Sequence, residues 1–346
     1  MLPPFPAKVP LAQLPTPFRP LDRISRSLGG PRIWIKCDDM SGSVLSGNKV
    51  RKLEFICARA LSEGCQVLIT CGGIQSNHCR ATAIAAAQLG MDTHLLLRGS
   101  AEESQHADGN LLLDRLAGAT VSIYSPRDYF AQLQTLLENW REHYAQQGKK
   151  AWVIPTGASD AHGLWGYLAA TRELREDFKR HSIQPELVVC ATGSGGTQSG
   201  LTLGFALQGL ATNVLGMAVC DSEEYFAHKA KQDIKEWSEF LPRDFLVANH
   251  RTLHRLEVST CADYIGPGYG IGYEGVYDTI RWLAKEEGVI LDPVYTGKAF
   301  FGLISEIKAG RLKHVKNVVF IHTGGVFGLF PAREALLAGM NGDGGE

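Results

Sequence analysis

Residues 46–54 are the stretch around which the chain is organised, Ser46-Gly47-Asn48-Lys49-Val50-Arg51-Lys52-Leu53-Glu54. Residues 32–36 before it are mostly apolar and β-prone, which predicts a strand. From Lys49 to about Ala60 apolar residues recur at helical spacing, which predicts a helix. Lys49 is therefore expected where a loop enters a helix, and the positive helix end there disfavours an ammonium ion. Such a lysine is a candidate amine nucleophile, although a lone lysine is more often a solvated charge.

The composition is that of a globular protein with room for two domains. The chain has 346 residues, of which 45% are hydrophobic and 21% are charged, and its formal net charge is −1. This balance gives no electrostatic reason to expect nucleic acid or a membrane surface as a partner. We expect no membrane span, no metal site and no signal peptide in the proline-rich start. The eight cysteines include no C-x-x-C pair, which predicts free thiols in a reducing cytoplasm.

Strand-like and helix-like segments alternate along the chain. This alternation predicts an α/β fold of two domains, each an open, mostly parallel sheet covered by helices. The predicted strands cover 32–36, 67–70, 93–97, 120–124, 152–154, 186–190, 214–219, 289–291 and 318–322. The predicted helices cover 21–28, 49–60, 81–89, 110–116, 127–147, 163–181, 197–207, 222–240, 274–287 and 297–309. Residues 241–255 fit neither pattern.

A glycine-rich stretch between a predicted strand and helix is a candidate phosphate site, Gly193-Ser194-Gly195-Gly196-Thr197. Glycines allow close backbone approach, and the hydroxyls and the helix start add donors for an anion. A turn without a ligand is the alternative. The stretch lacks the Lys-Ser/Thr pair of a Walker loop and the third glycine of G-x-G-x-x-G. A nucleophilic lysine together with a phosphate site predicts pyridoxal 5′-phosphate, which carries an aldehyde and a phosphate.

Four other stretches are expected near the same site, because ligands gather at the carboxyl ends of strands in open α/β sheets. They are Gln75-Ser76-Asn77-His78, Gly266-Pro267-Gly268-Tyr269-Gly270, Asp292-Pro293-Val294-Tyr295-Thr296-Gly297-Lys298 and His322-Thr323-Gly324-Gly325. Helix capping is the alternative role of Ser76 or Asn77. A core position with a satisfied hydroxyl is the alternative for Tyr295.

With these stretches in place, the chain resembles the family of D-cysteine desulfhydrases and 1-aminocyclopropane-1-carboxylate deaminases from residue 14 to residue 325. These are pyridoxal-phosphate enzymes of the tryptophan-synthase-β type, fold type II. The resemblance implies a homodimer, a small domain at 53–168 and a large cofactor domain at 1–52 and 169–346. It implies Lys49 as the Schiff-base lysine and Asn77 on the 3′-oxygen of the cofactor.

The resemblance also implies the other site residues. Cofactor binding is expected from Lys49, Lys52, Asn77, Gly193, Ser194, Gly195, Gly196, Thr197, Tyr295, Thr296 and Thr323. Substrate binding is expected from Gln75, Ser76, Asn77, His78, Gly157 and Tyr269. The catalytic residues are expected to be Lys49, Ser76, Tyr269 and Tyr295. Asp160 and His162 in the loop 156–163 are expected to be solvated, with substrate contact as the alternative.

One position distinguishes the two branches of the family. The ring-opening deaminases carry Glu where this chain has Thr296. A carboxylate facing the pyridine nitrogen keeps it protonated, whereas a hydroxyl does not. Thr296 therefore favours β-elimination from D-cysteine, followed by L-cysteate sulfo-lyase activity and then ring opening. Outside this class, the alternatives are a non-catalytic ligand-binding protein and a nucleotide-binding oxidoreductase, which the missing third glycine disfavours.

Overall fold

The computed structural model describes residues 2–105 and 107–338. In these ranges the strands are β1 (Phe18–Pro20), β2 (Arg32–Cys37), β3 (Val67–Gly73), β4 (Asp92–Arg98), β5 (Thr120–Tyr124), β6 (Ala151–Val153), β7 (Leu187–Thr192), β8 (Asn213–Ala218), β9 (Ser259–Cys261) and β10 (Asn317–His322). The helices are α1 (Asp22–Leu28), α2 (Asn48–Ser62), α3 (Asn77–Gln88), α4 (Ala101–Gln105), α5 (Gly109–Leu116), α6 (Pro126–Gln146), α7 (Leu164–Arg180), α8 (Gly196–Leu207), α9 (Glu223–Ser238), α10 (Arg243–His254), α11 (Glu274–Glu287), α12 (Thr296–Lys308) and α13 (Arg333–Ala338).

The strands form two sheets. The larger sheet has the order β1-β2-β10-β7-β8-β9, and the smaller sheet has the order β5-β4-β3-β6. Only β1 runs antiparallel to its neighbour; every other pair is parallel. The predicted α/β fold with two mostly parallel sheets is confirmed.

Strand β7 shows why the larger sheet needs helices on both faces. All six of its residues are buried. Leu187, Val189 and Ala191 belong to one hydrophobic cluster, which includes side chains of α11 and α12. Val188 and Cys190 belong to another, which includes side chains of α7 and α8. A strand buried on both faces has a nearly continuous apolar sequence, as this one does.

The structure corrects some of the sequence predictions. Residues 289–291 form no strand. Val289 and Leu291 are buried and Ile290 is 44% exposed, so their alternation comes from packing rather than from sheet pairing. Residues 243–254, in the ambiguous stretch, form α10. The short strands β1 and β9 were not predicted, since three residues give too little periodicity.

All four strands of the smaller sheet fall within the range 53–168 that the sequence predicts for the small domain. The predicted limits lie inside α2 and α7, and the limits themselves stay a prediction. Among the described residues, no helix has both the length and the apolar character needed to cross a membrane.

Candidate active site

Strand ends from both sheets surround one cavity of about 580 Å³. Residues at or just after the carboxyl ends of β3, β4, β6, β7 and β8 contribute to its wall. The predicted site residues that line it are Lys49, Ser76, His78, Gly157, Gly193, Ser194, Tyr269 and Tyr295. Four of the five predicted stretches, together with Lys49, therefore reach one cavity near the carboxyl ends of strands, whereas the described wall contains no residue of 322–325.

Lys49 lies in the first turn of α2, and that turn is fixed to the end of β10. The backbone N–H of Asn48 donates to the carbonyl of Thr323 at 3.0 Å. Gly47 has a φ of +93°, and a Cβ atom there would lie 2.9 Å from the same carbonyl oxygen. Glycine is therefore needed at the entry to the helix. Burial lowers the pKa of Lys49 to about 8, so its amine loses a proton more readily than that of a solvated lysine.

The predicted phosphate stretch forms a cradle with the loop that follows β6. The hydroxyls of Ser194 and Ser159 are 2.8 Å apart, and the N–H of Gly196 donates to the Ser159 hydroxyl at 3.1 Å. Gly195 has a φ of +82°, which turns the chain into α8 in a conformation that favours glycine. A Cβ atom on Gly196 would lie 2.6 Å from the Ser159 hydroxyl and 2.9 Å from Lys52 Nζ.

Lys52 supplies the observation that tests this cradle as a phosphate site. Its side chain is fully buried, and its ammonium donates only to neutral groups, the Gly157 carbonyl and the Ser159 hydroxyl. The neighbouring carboxylate of Asp233 is paired with Lys229 instead. The pKa of Lys52 is held well below its usual value, mainly by burial and secondly by the charge of Lys49. A buried lysine beside the start of α8 fits an anion such as the phosphate of pyridoxal phosphate, because a negative charge there would favour its ammonium form.

Tyr269 and Tyr295 meet at the cavity wall. Their hydroxyls share a hydrogen bond, and their rings are 5.9 Å apart at 75°. Burial, and then the neighbouring Tyr269, raises the pKa of Tyr295 well above its usual value. Burial also raises the pKa of Tyr269. Both hydroxyls therefore keep their protons near neutral pH.

Two residues of the stretch 75–78, Ser76 and His78, line the cavity, whereas the other two bond to a neighbouring helix. Ser76 caps α3 through a bond from the Cys79 N–H at 3.2 Å while it lines the cavity. His78 also lines the cavity, and its Nε2 lies 2.7 Å from the Thr70 hydroxyl. The side chains of Gln75 and Asn77 bond instead to residues at the start of α5.

The predicted residues on α8, α12 and after β10 form a layer around the cavity rather than its wall. The Thr197 hydroxyl accepts from Asn48 Nδ2 at 2.9 Å. The Thr296 hydroxyl donates to Asp292 Oδ1 at 2.6 Å and accepts from the Asp292 N–H at 2.9 Å. Thr323 is buried. The roles assigned to these three residues, like those of Asn77 and the other predicted site residues, stay predictions.

Asp160 and His162 make their contacts away from the cavity. Asp160 accepts from the Gly163 N–H at 2.7 Å, and His162 packs on Trp152 and Phe240; neither lines the cavity among the described residues. Several residues that line the cavity were not among the predicted site residues: Arg98, Tyr129, Phe130, Thr156, Ser159 and Lys229. The position of Arg98 at the carboxyl end of a strand was the available signal.

Comparisons with known proteins identify the family of the chain. Residues 9–324 match the family described as "Pyridoxal-phosphate dependent enzyme". The chain is 39% identical to the bifunctional D-cysteine desulfhydrase/1-aminocyclopropane-1-carboxylate deaminase, mitochondrial, of Arabidopsis thaliana, over 92% of this chain and 78% of that protein. It is 37% identical to the D-cysteine desulfhydrase of Serratia proteamaculans, over 91% of this chain and 92% of that protein.

Solved structures extend the comparison. The crystal structure of an ACC deaminase homologue superimposes with a TM-score of 0.84 at 36% identity, covering 96% of both chains. The structure of O-ureido-L-serine synthase superimposes with a TM-score of 0.67 at 16% identity, over 96% of this chain and 94% of that one, and shows a shared fold only. The predicted cofactor is confirmed: the chain belongs to the family of pyridoxal-phosphate dependent enzymes.

Proposed function

We propose that this enzyme catalyses β-elimination from a small amino acid. D-cysteine is the first candidate, and with water it gives pyruvate, hydrogen sulfide and ammonia. The observation that carries the proposal is that the Lys49 amine and the Tyr269–Tyr295 hydroxyl pair face one cavity. The names of the relatives, desulfhydrase and deaminase, support the reaction type.

Pyridoxal phosphate, when bound, supplies an aldehyde that condenses with amines and a ring that withdraws electrons from Cα. Lys49 would carry the cofactor. The cradle would hold the phosphate of the cofactor through Lys52, Ser194 and its N–H groups. The buried amine of Lys52 and the fixed geometry of the cradle support this assignment.

Lys49 and the tyrosine pair divide the proton transfers. A lysine with a pKa of about 8 is partly neutral at physiological pH, so Nζ of Lys49 takes the Cα proton. The tyrosine hydroxyls are protonated and hydrogen-bonded to each other, and they deliver a proton to the departing sulfur. Elimination needs both transfers, because the leaving group departs with the electron pair of the Cβ–S bond.

Position 296 favours elimination over ring opening. The family resemblance gives the ring-opening deaminases a glutamate there, and this chain has a threonine with its hydroxyl on Asp292. L-cysteate, which would release sulfite, is the second candidate substrate.

We also propose that the enzyme works in the cytoplasm as a homodimer. All eight cysteines are free and six of them are buried, which suits a reducing compartment. The homodimer rests on the family resemblance, and light scattering of the purified protein tests it.

The function is tested by incubating the holoenzyme with D-cysteine, L-cysteine, β-chloro-D-alanine, L-cysteate and 1-aminocyclopropane-1-carboxylate. We expect pyruvate and hydrogen sulfide from D-cysteine, and no product from the Lys49→Ala variant. A keto acid formed from the cyclopropane substrate alone would favour the ring-opening reaction. No keto acid from any of the five compounds would contradict the proposal.

A further inference from the structure

Arg98 lies at the carboxyl end of β4, where its side chain lines the cavity. Its guanidinium carbon is 4.7 Å from the ring centre of Phe130, 5.2 Å from that of Tyr269 and 5.4 Å from that of Tyr129. All three distances are within the range of cation–π attraction. The rings hold the guanidinium in place without accepting hydrogen bonds in its plane, so its N–H donors stay available.

The charges around Arg98 leave it without an anionic partner in the described part of the chain. Asp221 is the acidic residue on the cavity wall, and no ion pair joins it to Arg98. The basic residues of the wall besides Arg98 are Lys49, whose amine is assigned to the cofactor, and Lys229, which is already paired with Asp233. Arg98 is therefore the cation of the described wall that is left to attract an anionic ligand.

Arg98 is close to the Tyr269–Tyr295 hydroxyl pair, to which the proposed function assigns protonation of the leaving group. A Cβ atom on Gly73 would lie 3.7 Å from Tyr269 Cε1 and 3.8 Å from Arg98 Nη2. The arginine and this tyrosine therefore meet over the end of β3. The phosphate cradle is built by different elements, the starts of α2 and α8 and the loop after β6. A guanidinium beside Tyr269 is placed to contact the β-substituent rather than the cofactor phosphate.

We propose that Arg98 is a specificity-determining residue that binds a negatively charged β-substituent, with a sulfonate as the group it fits. This inference rests on the proposed β-elimination. A sulfonate is charged at every relevant pH, and its oxygens match the two parallel N–H groups of a guanidinium. A thiol, with an ordinary pKa of about 8.5, is mostly neutral at pH 7 and offers no such partner.

The reaction with such a substrate balances. The Cβ–S bond of cysteate breaks, and its electron pair leaves with sulfite. The Cα proton goes to Lys49, and water completes the conversion of the remaining three-carbon unit to pyruvate and ammonia. No oxidant or reductant is needed. Arg98 stabilises the charge that the leaving sulfite carries away.

The test compares Arg98→Gln with the parent holoenzyme on both enantiomers of cysteate and of β-chloroalanine. A chlorine atom bound to carbon is uncharged, whereas a sulfonate is an anion. Cysteate and β-chloroalanine therefore differ in the charge of the β-substituent. Arg127→Gln is the matched control, because Arg127 is exposed on α6 and does not line the cavity.

We expect Arg98→Gln to lower kcat/KM for cysteate at least about tenfold, as the loss of a charged hydrogen bond implies. Elimination from β-chloroalanine should change less than about threefold, and Arg98→Lys should restore part of the loss on cysteate.

A binding measurement separates this inference from the proposed function. Methanesulfonate, which cannot react, is titrated into the holoenzyme by calorimetry, and Arg98→Gln should weaken its binding while Arg127→Gln should not. Equal losses on cysteate and β-chloroalanine, or unchanged methanesulfonate binding in Arg98→Gln, would overturn the role of Arg98. No pyruvate from any substrate would overturn the proposed function, and the methanesulfonate titration would still decide whether Arg98 binds a sulfonate.

Discussion

The hydroxyls of Tyr269 and Tyr295 share a hydrogen bond although they come from different elements, a glycine-rich loop and the residue before α12. Because each hydroxyl fixes the other, the two should act as one unit. We predict that Tyr269→Phe and Tyr295→Phe each lower kcat by about 10²-fold, the scale of a lost acid–base group. The double variant should lose little more than the larger single loss.

Steady-state rates of pyruvate formation check this prediction. Tyr273→Phe is the control, because its hydroxyl donates to the Tyr264 carbonyl at 2.9 Å and lies outside the cavity wall. Losses that multiply in the double variant would show that the two hydroxyls act independently.

Gly157 leaves room for Ser194 and Lys49. A Cβ atom there would lie 2.2 Å from the Ser194 hydroxyl and 3.2 Å from Lys49 Nζ, and its φ is +68°. We predict that Gly157→Ala weakens cofactor binding at least about tenfold, since both groups must shift. Gly148→Ala is a matched control with a φ of +75° and nothing within 4 Å. Gly148→Ala should cost about 1 kcal/mol of stability without changing cofactor affinity. Equal losses of cofactor affinity in Gly157→Ala and Gly148→Ala would show that backbone strain alone is responsible.

Thr296 tests the choice between elimination and ring opening. Its hydroxyl is bound to the fully buried carboxyl of Asp292, so Thr296→Ser should keep elimination within about threefold of the parent, since the hydroxyl and its bonds are retained. Thr296→Glu adds a carboxyl beside Asp292, where two negative charges repel. We expect elimination from D-cysteine to fall by about tenfold or more. Unimpaired elimination by Thr296→Glu, measured as pyruvate release, would contradict the importance of this position.

The lowered pKa of Lys49 predicts a pH dependence of stability in the cofactor-free protein. Burial brings this pKa from 10.5 to about 8, so between these values the unfolded chain binds more protons than the folded one. The contribution of Lys49 to the free energy of unfolding therefore rises with pH across this window. Below pH 8 the folded state contains a buried ammonium that Lys49→Met lacks. We expect Lys49→Met to be more stable at pH 7 by up to about 3 kcal/mol, an advantage that shrinks towards pH 10.

Urea unfolding of the cofactor-free parent and of Lys49→Met at pH 7, 8.5 and 9.5 measures the difference between their free energies of unfolding. The contributions of titratable groups that both proteins share cancel in this difference. An advantage that is constant with pH would show that Lys49 titrates normally.

The sequence was sufficient for features carried by continuous patterns. A β-prone stretch and a helical repeat flank Lys49, and they correctly predicted its position at the start of a helix. The glycines at 193, 195 and 196 correctly predicted a turn into α8 for the same reason. Arg98 and Lys229 were missed because each is a single basic residue whose importance arises from neighbours brought in by other elements. The alternation at 289–291 was misleading, since burial of Val289 and Leu291 imitates a strand. The bond between Thr296 and Asp292 has no sequence signature, because it depends on how the start of α12 folds.

The central claim is that Lys49 holds pyridoxal phosphate in this cavity. Its most direct test is reduction of the holoenzyme with borohydride, followed by digestion and mass spectrometry of the peptides. We predict one phosphopyridoxyl group on the peptide that contains Lys49, and none on that peptide in Lys49→Ala. A label on Lys52, Lys229 or any other lysine of the parent protein, or the absence of a label, would contradict the account.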